Sequence, residues 1–373
     1  MKYIHQLSDW PRFKWRNEVL AQPLADVRYQ EGLLLGKMRS LGFPLQMQAT
    51  LNVMTEETIK SSAIEGEILD AESVRSSLAR RLGVPTLKIT KTDQHVEGIV
   101  QVMMDATQNY LKPLTAGRLH GWHAALFPTG YSELRKIRTG AWREGKMEVV
   151  SGREGNEQVH FEAPAADRVN TEMQVFLSWF DGLDQIPPLI KTGLAHLYFV
   201  TIHPFEDGNG RIARAITELC LTRLENSKQR FYSISSEILN ERKEYYSILE
   251  RTQKSGMDVT EWLNWFLKCL GLAIEGAHSL TRAVLEKDGF WRYLKEESIG
   301  VSERQQELIN RLLDGFLGKL TTAKWAKIKK ISHDSALRDI QSLIEKGVLK
   351  QDAGKTKGAS YSLVLEGTRK YEA

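Results

Sequence analysis

The strongest constraint on this chain is a stretch of twelve residues, His203-Pro204-Phe205-Glu206-Asp207-Gly208-Asn209-Gly210-Arg211-Ile212-Ala213-Arg214. An apolar run from Leu194 to Val200 precedes it, and a periodic run with Ile216, Leu219, Cys220 and Leu224 follows. That pattern predicts a helix, a sharp loop and a second helix. Pro204 ends the first helix, because the residue before a proline is pushed out of the α region. Gly208 and Gly210 permit positive φ and close backbone approach. The second helix is expected to start near Gly210–Arg211, with its unpaired N–H groups and positive dipole end facing the loop. An anion fits there.

The side chains of the loop suit a phosphate site. Arg211 and Arg214, three residues apart, share a helix face and can grip neighbouring phosphates. Asp207 is a hard oxygen ligand for the Mg²⁺ that accompanies a nucleotide. His203 has an ordinary pKa suited to general-base work near neutral pH. Phe205, apolar in a polar loop, is expected to anchor it in the core.

Composition sets wide bounds. With 373 residues, 42% hydrophobic and 26% charged, the chain has room for two or three ordinary globular domains. Its net charge of +4 is small for this length and identifies no partner. Cys220 and Cys269 lie in apolar helical patterns and are expected to be reduced, buried thiols. The first residues have no apolar signal region, and no run approaches about 18 apolar residues, so a cytoplasmic protein without a membrane span is expected.

Helical periodicity dominates, so the fold is expected to be mainly α. One helix is predicted near 17–41, ending at Gly42 and Pro44, and a second from Leu45 to Ile64. Further helices are predicted at Asp93–Tyr110, after Thr115, across Ser233–Leu249 with Glu250 and Gln253 following on a helix, and around Trp262, Trp265 and Phe266. His120, His123 and His196 lack the spacing of a zinc helix and are assigned to the core or an interface. Met147–Gly152 and Gln158–Phe161 predict a hairpin whose open edge could accept another strand. The tail differs. Helices at 303–313 and 321–330, a third capped by Ser332 or Asp334, and strands at 348–350 and 360–364 resemble a winged helix-turn-helix. From Lys319 onward Lys and Arg outnumber Asp and Glu twelve to six, which suits nucleic acid. A module that binds protein or packs on the rest of the chain is the alternative.

The central string fits HxFx(D/E)GNGRxxR at every defined position, and by it residues 60–275 resemble the Fic (Fic/DOC) family. The resemblance implies a Fic-type helical core with a β-hairpin flap, an N-terminal helical segment and the winged-helix-like tail. The expected segments are 1–90, a catalytic core at 91–275, a linker helix at 276–300 and the tail at 301–373. It implies transfer of AMP from ATP to a Tyr, Thr or Ser hydroxyl of a target protein, or of the chain itself. His203 would be the base and Asp207 the Mg²⁺ ligand. Glu206, Asp207, Gly208, Asn209, Gly210, Arg211 and Arg214 would hold the phosphates. Tyr245, Tyr246 and Gln253 would lie near the adenosine, and Val159, His160, Phe161 and Glu162 would form the flap. A second motif, Ser61-Ser62-Ala63-Ile64-Glu65-Gly66, resembles the family's (S/T)xxxE(G/N) inhibitory helix, in which Glu65 would pair with Arg214. Ser61 belongs to the same motif. A homodimer is compatible with the resemblance. Alternatives are transfer of a phosphoryl, UMP or phosphocholine group, removal of AMP in the same site, or a DNA-binding regulator whose core senses nucleotide. Phosphoryl transfer is disfavoured, because relatives with that chemistry depart from the pattern where this chain keeps Gly210.

Overall fold

The computed structural model describes residues 3–85, 93–153, 156–183, 185–313, 316, 318–352 and 359–365. It is mainly helical. A short 3-10 turn, Ile4–Gln6, leads into α1 (Asn17–Arg39), α2 (Phe43–Ile64), α3 (Ala71–Leu82), α4 (Gln94–Gln108) and α5 (Ala116–Leu126). Two antiparallel hairpins follow, β1 (Tyr131–Ser132) with β2 (Arg135–Lys136) and β3 (Glu148–Arg153) with β4 (Asn156–Glu162). Next come α6 (Ala166–Asp181), α7 (Pro188–Ile202), α8 (Asn209–Glu225), α9 (Ile234–Asn240), α10 (Arg242–Gln253) and α11 (Thr260–Glu296). The last elements are α12 (Glu303–Leu313), α13 (Thr322–Lys329), α14 (His333–Glu345) and the antiparallel pair β5 (Leu349–Gln351) and β6 (Tyr361–Leu363). The chain forms two units, 1–278 and 279–373. Among the described residues no helix is long and apolar enough to cross a membrane.

Start signals in the sequence are used as caps. Asp93, Thr115, Ser233 and Ser332 each accept a hydrogen bond from the backbone N–H three residues on. In the first unit α7 is buried along nearly its whole length, as expected of a helix that is apolar on every side. It packs along α8, and the loop joining them is the string read above.

Three expectations change, and one element is new. Pro44 does not precede α2 but sits in its first turn, where a missing N–H costs no hydrogen bond. The stretch 233–253 divides at Glu241 into α9 and α10. No separate linker helix begins at 276, because α11 continues to Glu296. The hairpin β1–β2 was not foreseen, being too short for a periodic signal.

The second unit has its own core, with Leu308, Ile309, Trp325, Ile340, Leu343 and Val348 among its buried members. Buried Asp339 on α14 accepts from Arg304 at 2.6 and 2.7 Å and from the Trp325 indole at 3.1 Å. This fixes α14 against α12 and α13. The turn at 353–358, expected to be a basic wing, lies outside the described residues.

Candidate active site

The loop between α7 and α8 is built by its own side chains. His203 ends α7 in the left-handed region at φ 50°. Phe205 is fully buried and stacks on His123 with ring centroids 4.2 Å apart. Asn209 Oδ1 accepts the Phe205 N–H at 3.0 Å, and its Nδ2 donates to the Phe205 carbonyl at 2.9 Å. Gly208, at φ +75°, caps α8, and a Cβ there would lie 2.9 Å from the Phe127 ring. The first N–H groups of α8 therefore open onto the loop.

His203 keeps one ring nitrogen free for chemistry. Its Nδ1 lies 3.2 Å from the Val200 carbonyl, which can only accept, so Nδ1 carries the hydrogen and Nε2 the lone pair. Burial lowers its pKa from 6.5 to about 4, aided by the charge of Arg143 and opposed by the bond to Val200. The imidazole is neutral at pH 7. Arg143, itself buried, donates to the carbonyls of His203 at 2.8 Å and Pro164 at 2.5 Å, which ties the loop to the base of the β3–β4 hairpin.

Each arginine of the α8 face meets a glutamate from the end of α2. Arg214 is fully buried. Its Nε donates to Ser61 Oγ at 2.9 Å, and its Nη2 to the Ser61 carbonyl at 2.7 Å and Glu65 Oε1 at 2.8 Å. Gly210 is helical, and what it supplies is space: a Cβ there would lie 2.0 Å from Glu65 Oε1. Gly66, at φ +89°, then reverses the chain. The reversal brings Glu67 Oε2 within 2.8 Å of Arg211 Nη1, while the Arg211 guanidinium lies over the Phe127 ring. The exposed end of α2 is closed by Arg242, whose Nε donates to the Ile64 carbonyl at 2.6 Å.

Other expected site residues separate into open and buried ones. Asp207 is half-buried. Its Oδ1 accepts the Gly208 N–H at 2.6 Å and its Oδ2 the Ser132 hydroxyl. Glu206 accepts from Arg135 through its carbonyl and from the Arg138 N–H through its carboxylate. Tyr246 is open, with its hydroxyl 3.4 Å from Glu65 Oε2. Tyr245 is not; it is buried and donates to His196 Nε2 at 2.9 Å. Gln253 is also buried and donates to Thr201 at 3.3 Å. In this structure Tyr245, Gln253 and the Asn209 side chain each have a protein partner inside the fold. In the flap, Val159 is exposed and His160 Nδ1 lies 2.8 Å from Glu250. Phe161 points the other way, into the core beside Tyr3 with centroids 5.1 Å apart. The Glu162 carbonyl accepts from His5 Nε2 at 2.8 Å.

Among the described residues no group of three or more His, Cys, Asp and Glu side chains could hold a metal ion. Mg²⁺ that arrives with a nucleotide needs only one or two carboxylates, because phosphate oxygens and water complete its shell. Asp207 beside a phosphate-binding helix start fits that donor set.

Residues 113–221 match the family model described as Fic/DOC family. The chain carries a Fic/DOC family domain. Residues 3–84, which include α2, match a second model described as a domain of unknown function, DUF4172. Among solved structures, the chain is similar to a Fic family protein from Desulfovibrio desulfuricans, with 20% identity and a TM-score of 0.57 over 93% of this chain and 96% of that one. It is also similar to a Fic domain containing signaling protein from Bacteroides thetaiotaomicron, with 18% identity and a TM-score of 0.52 over 69% of this chain and 98% of that one. At these identities the likeness concerns the fold. The Fic domain contains α7, the loop and the first turns of α8, so both glutamates facing its arginines come from outside the matched segment.

Sequence reasoning missed Glu67, Ser132, Arg143 and Arg242. Only Glu67 carried a signal, as a carboxylate just beyond a glycine that can reverse the chain.

Proposed function

We propose that this protein transfers AMP from ATP to a hydroxyl side chain of a protein and that Glu65 holds the reaction in check. The observation that carries the transfer is the neutral His203, with its Nε2 lone pair free beside a helix start suited to phosphate. The target hydroxyl oxygen attacks the α-phosphorus and gives its proton to Nε2. The bond from that phosphorus to the bridging oxygen breaks, and pyrophosphate leaves. Backbone N–H groups of α8, Arg211 and Arg214 stabilise the charge that moves onto it. A divalent cation held by Asp207 would supply further neutralisation of the phosphates. The exposed edge of the β3–β4 hairpin offers a target segment backbone partners.

Restraint follows from space and charge. While Glu65 occupies Arg214 and lies against Gly210, a γ-phosphate finds both its cation and its volume taken. The nucleotide then seats out of line, and a misplaced reacting centre loses much of its rate. Incubation with α-labelled ATP and Mg²⁺ tests both parts. Label should appear on protein, more strongly for Glu65→Gly and not for His203→Ala. A γ-label retained instead would establish phosphoryl transfer, and no label in Glu65→Gly with ATP binding intact would reject the reading.

The second unit supports a winged helix-turn-helix reading, with Ser332, His333, Arg338 and Gln341 exposed on α14 above the Asp339 anchor. DNA contact through that face predicts a gel shift lost in Arg338→Glu.

A further inference from the structure

The β1–β2 hairpin has no packing of its own that accounts for it. It pairs only Tyr131 with Lys136 and Ser132 with Arg135, Glu133 turns at φ 50°, and Leu134 at the tip is 96% exposed. Two residues per strand are too few to stand alone in water. Its polar groups converge instead on two residues of the α7–α8 loop. The Ser132 hydroxyl donates to Asp207 Oδ2, Arg135 Nη2 to the Glu206 carbonyl at 3.0 Å, and the Arg138 N–H to Glu206 Oε2 at 3.2 Å. With Gly208 N–H on Oδ1 at 2.6 Å, each Asp207 oxygen has one donor.

We propose that Ser132 is a positioning residue for Asp207, presented by the β1–β2 hairpin so that the carboxylate stands ready for the divalent cation that arrives with the nucleotide. A carboxylate oxygen has two lone pairs, and here one on each is taken by the protein, which leaves the others for a cation. Two donors on two oxygens fix both the direction and the roll of the group. An untethered aspartate at a loop apex would have to give up rotamer freedom each time the cation bound. Hydrogen-bonded partners of a metal-binding carboxylate typically contribute about 10–100-fold in metal affinity. This inference rests on Asp207 being the cation ligand.

The test uses the full chain in the Glu65→Gly background, with α,β-methylene ATP as the nucleotide and Mn²⁺ as the cation. Calorimetry gives nucleotide affinity in EDTA and across a Mn²⁺ series. Ser132→Ala should leave binding in EDTA unchanged and raise the Mn²⁺ concentration needed for tight binding by about 10–100-fold. Ser132→Thr, which keeps the hydroxyl, should behave like the parent. If Asp207→Ala retains the full Mn²⁺ response, the cation assignment fails and the proposal with it. If Asp207→Ala abolishes the response while Ser132→Ala matches the parent, the proposal alone is overturned. Equal loss with and without Mn²⁺ in Ser132→Ala would make the hairpin a general brace of the loop, which also overturns it.

Discussion

Glu57 and Glu65 lie two turns apart on α2, yet their surroundings are opposite. Glu57 is 2% exposed and accepts from the Ser233 hydroxyl at 2.7 Å, the Ser235 N–H at 3.0 Å and the Ser235 hydroxyl. It fastens α2 to the start of α9. The Glu65 side chain is 31% exposed, with one short bond to Arg214 and a long one to Tyr246. One carboxylate is locked among buried donors, and the other rests on a cation that an anion from solution could claim. The middle of α2 is structure, and its last turn is where a change of state costs little. Releasing Arg214 therefore calls for a local movement at 65–67, because withdrawing the whole helix would strand the buried serines facing Glu57.

Variants can break this contrast. Glu57→Ala has the largest expected effect on the fold, a loss of about 2–3 kcal/mol, since it leaves buried donors unsatisfied. Urea unfolding of the full chain measures it; a loss no greater than that of Glu65→Ala would erase the distinction. Glu65→Gly should raise labelling by α-labelled ATP on the order of a hundredfold, the scale at which misalignment costs rate. Glu67→Gln frees Arg211 from a partly exposed pair, so ATP affinity measured by calorimetry should tighten by about two- to fivefold. A larger gain than that from Glu65→Gly would make Glu67 the main guard. Tyr246→Phe removes two long contacts, 3.4 Å to Glu65 and 3.3 Å to the Ile64 carbonyl, and labelling should change by less than about twofold.

The smallest effect concerns pH. An imidazole at its ordinary pKa would cost Glu65→Gly about a fourfold drop in rate between pH 7.5 and 6. With His203 lowered to about 4, the rate should stay nearly flat over that interval. Stability follows the same sign. Burial also lowers His123 to about 4 and His196 to about 3. The unfolded chain takes up protons first, so the stability these groups lend is complete above pH 6.5 and declines as pH falls toward 4.

The loop between α7 and α8 was legible because its backbone demands and its chemistry share twelve consecutive residues. Pro204 ends a helix and Gly208 takes the left-handed turn. The longer helices were legible from their apolar period and caps. What sequence could not rank was the use of each polar group. Asn209, Tyr245 and Gln253 could serve a ligand or the fold equally well, and the partners they have here, Phe205 four residues from Asn209 but His196 for Tyr245 and Thr201 for Gln253 far off in sequence, come only from the folded chain. Ser132 and Arg143 carried no pattern, since each acts on a group more than 50 residues away in sequence. The continuation of α11 past 276 was not legible, because Gly276 sits inside the helix without ending it.

The pairing of Glu65 with Arg214 has a consequence in mass action. A carboxylate carried on the same chain behaves as a tethered ligand, whose effective concentration is set by the fold and does not fall on dilution. Any phosphate seeking Arg214 competes with an occupant that does not diffuse away. Under the proposed restraint, such a site would respond weakly to its ligand's level until something outside the loop displaces Glu65.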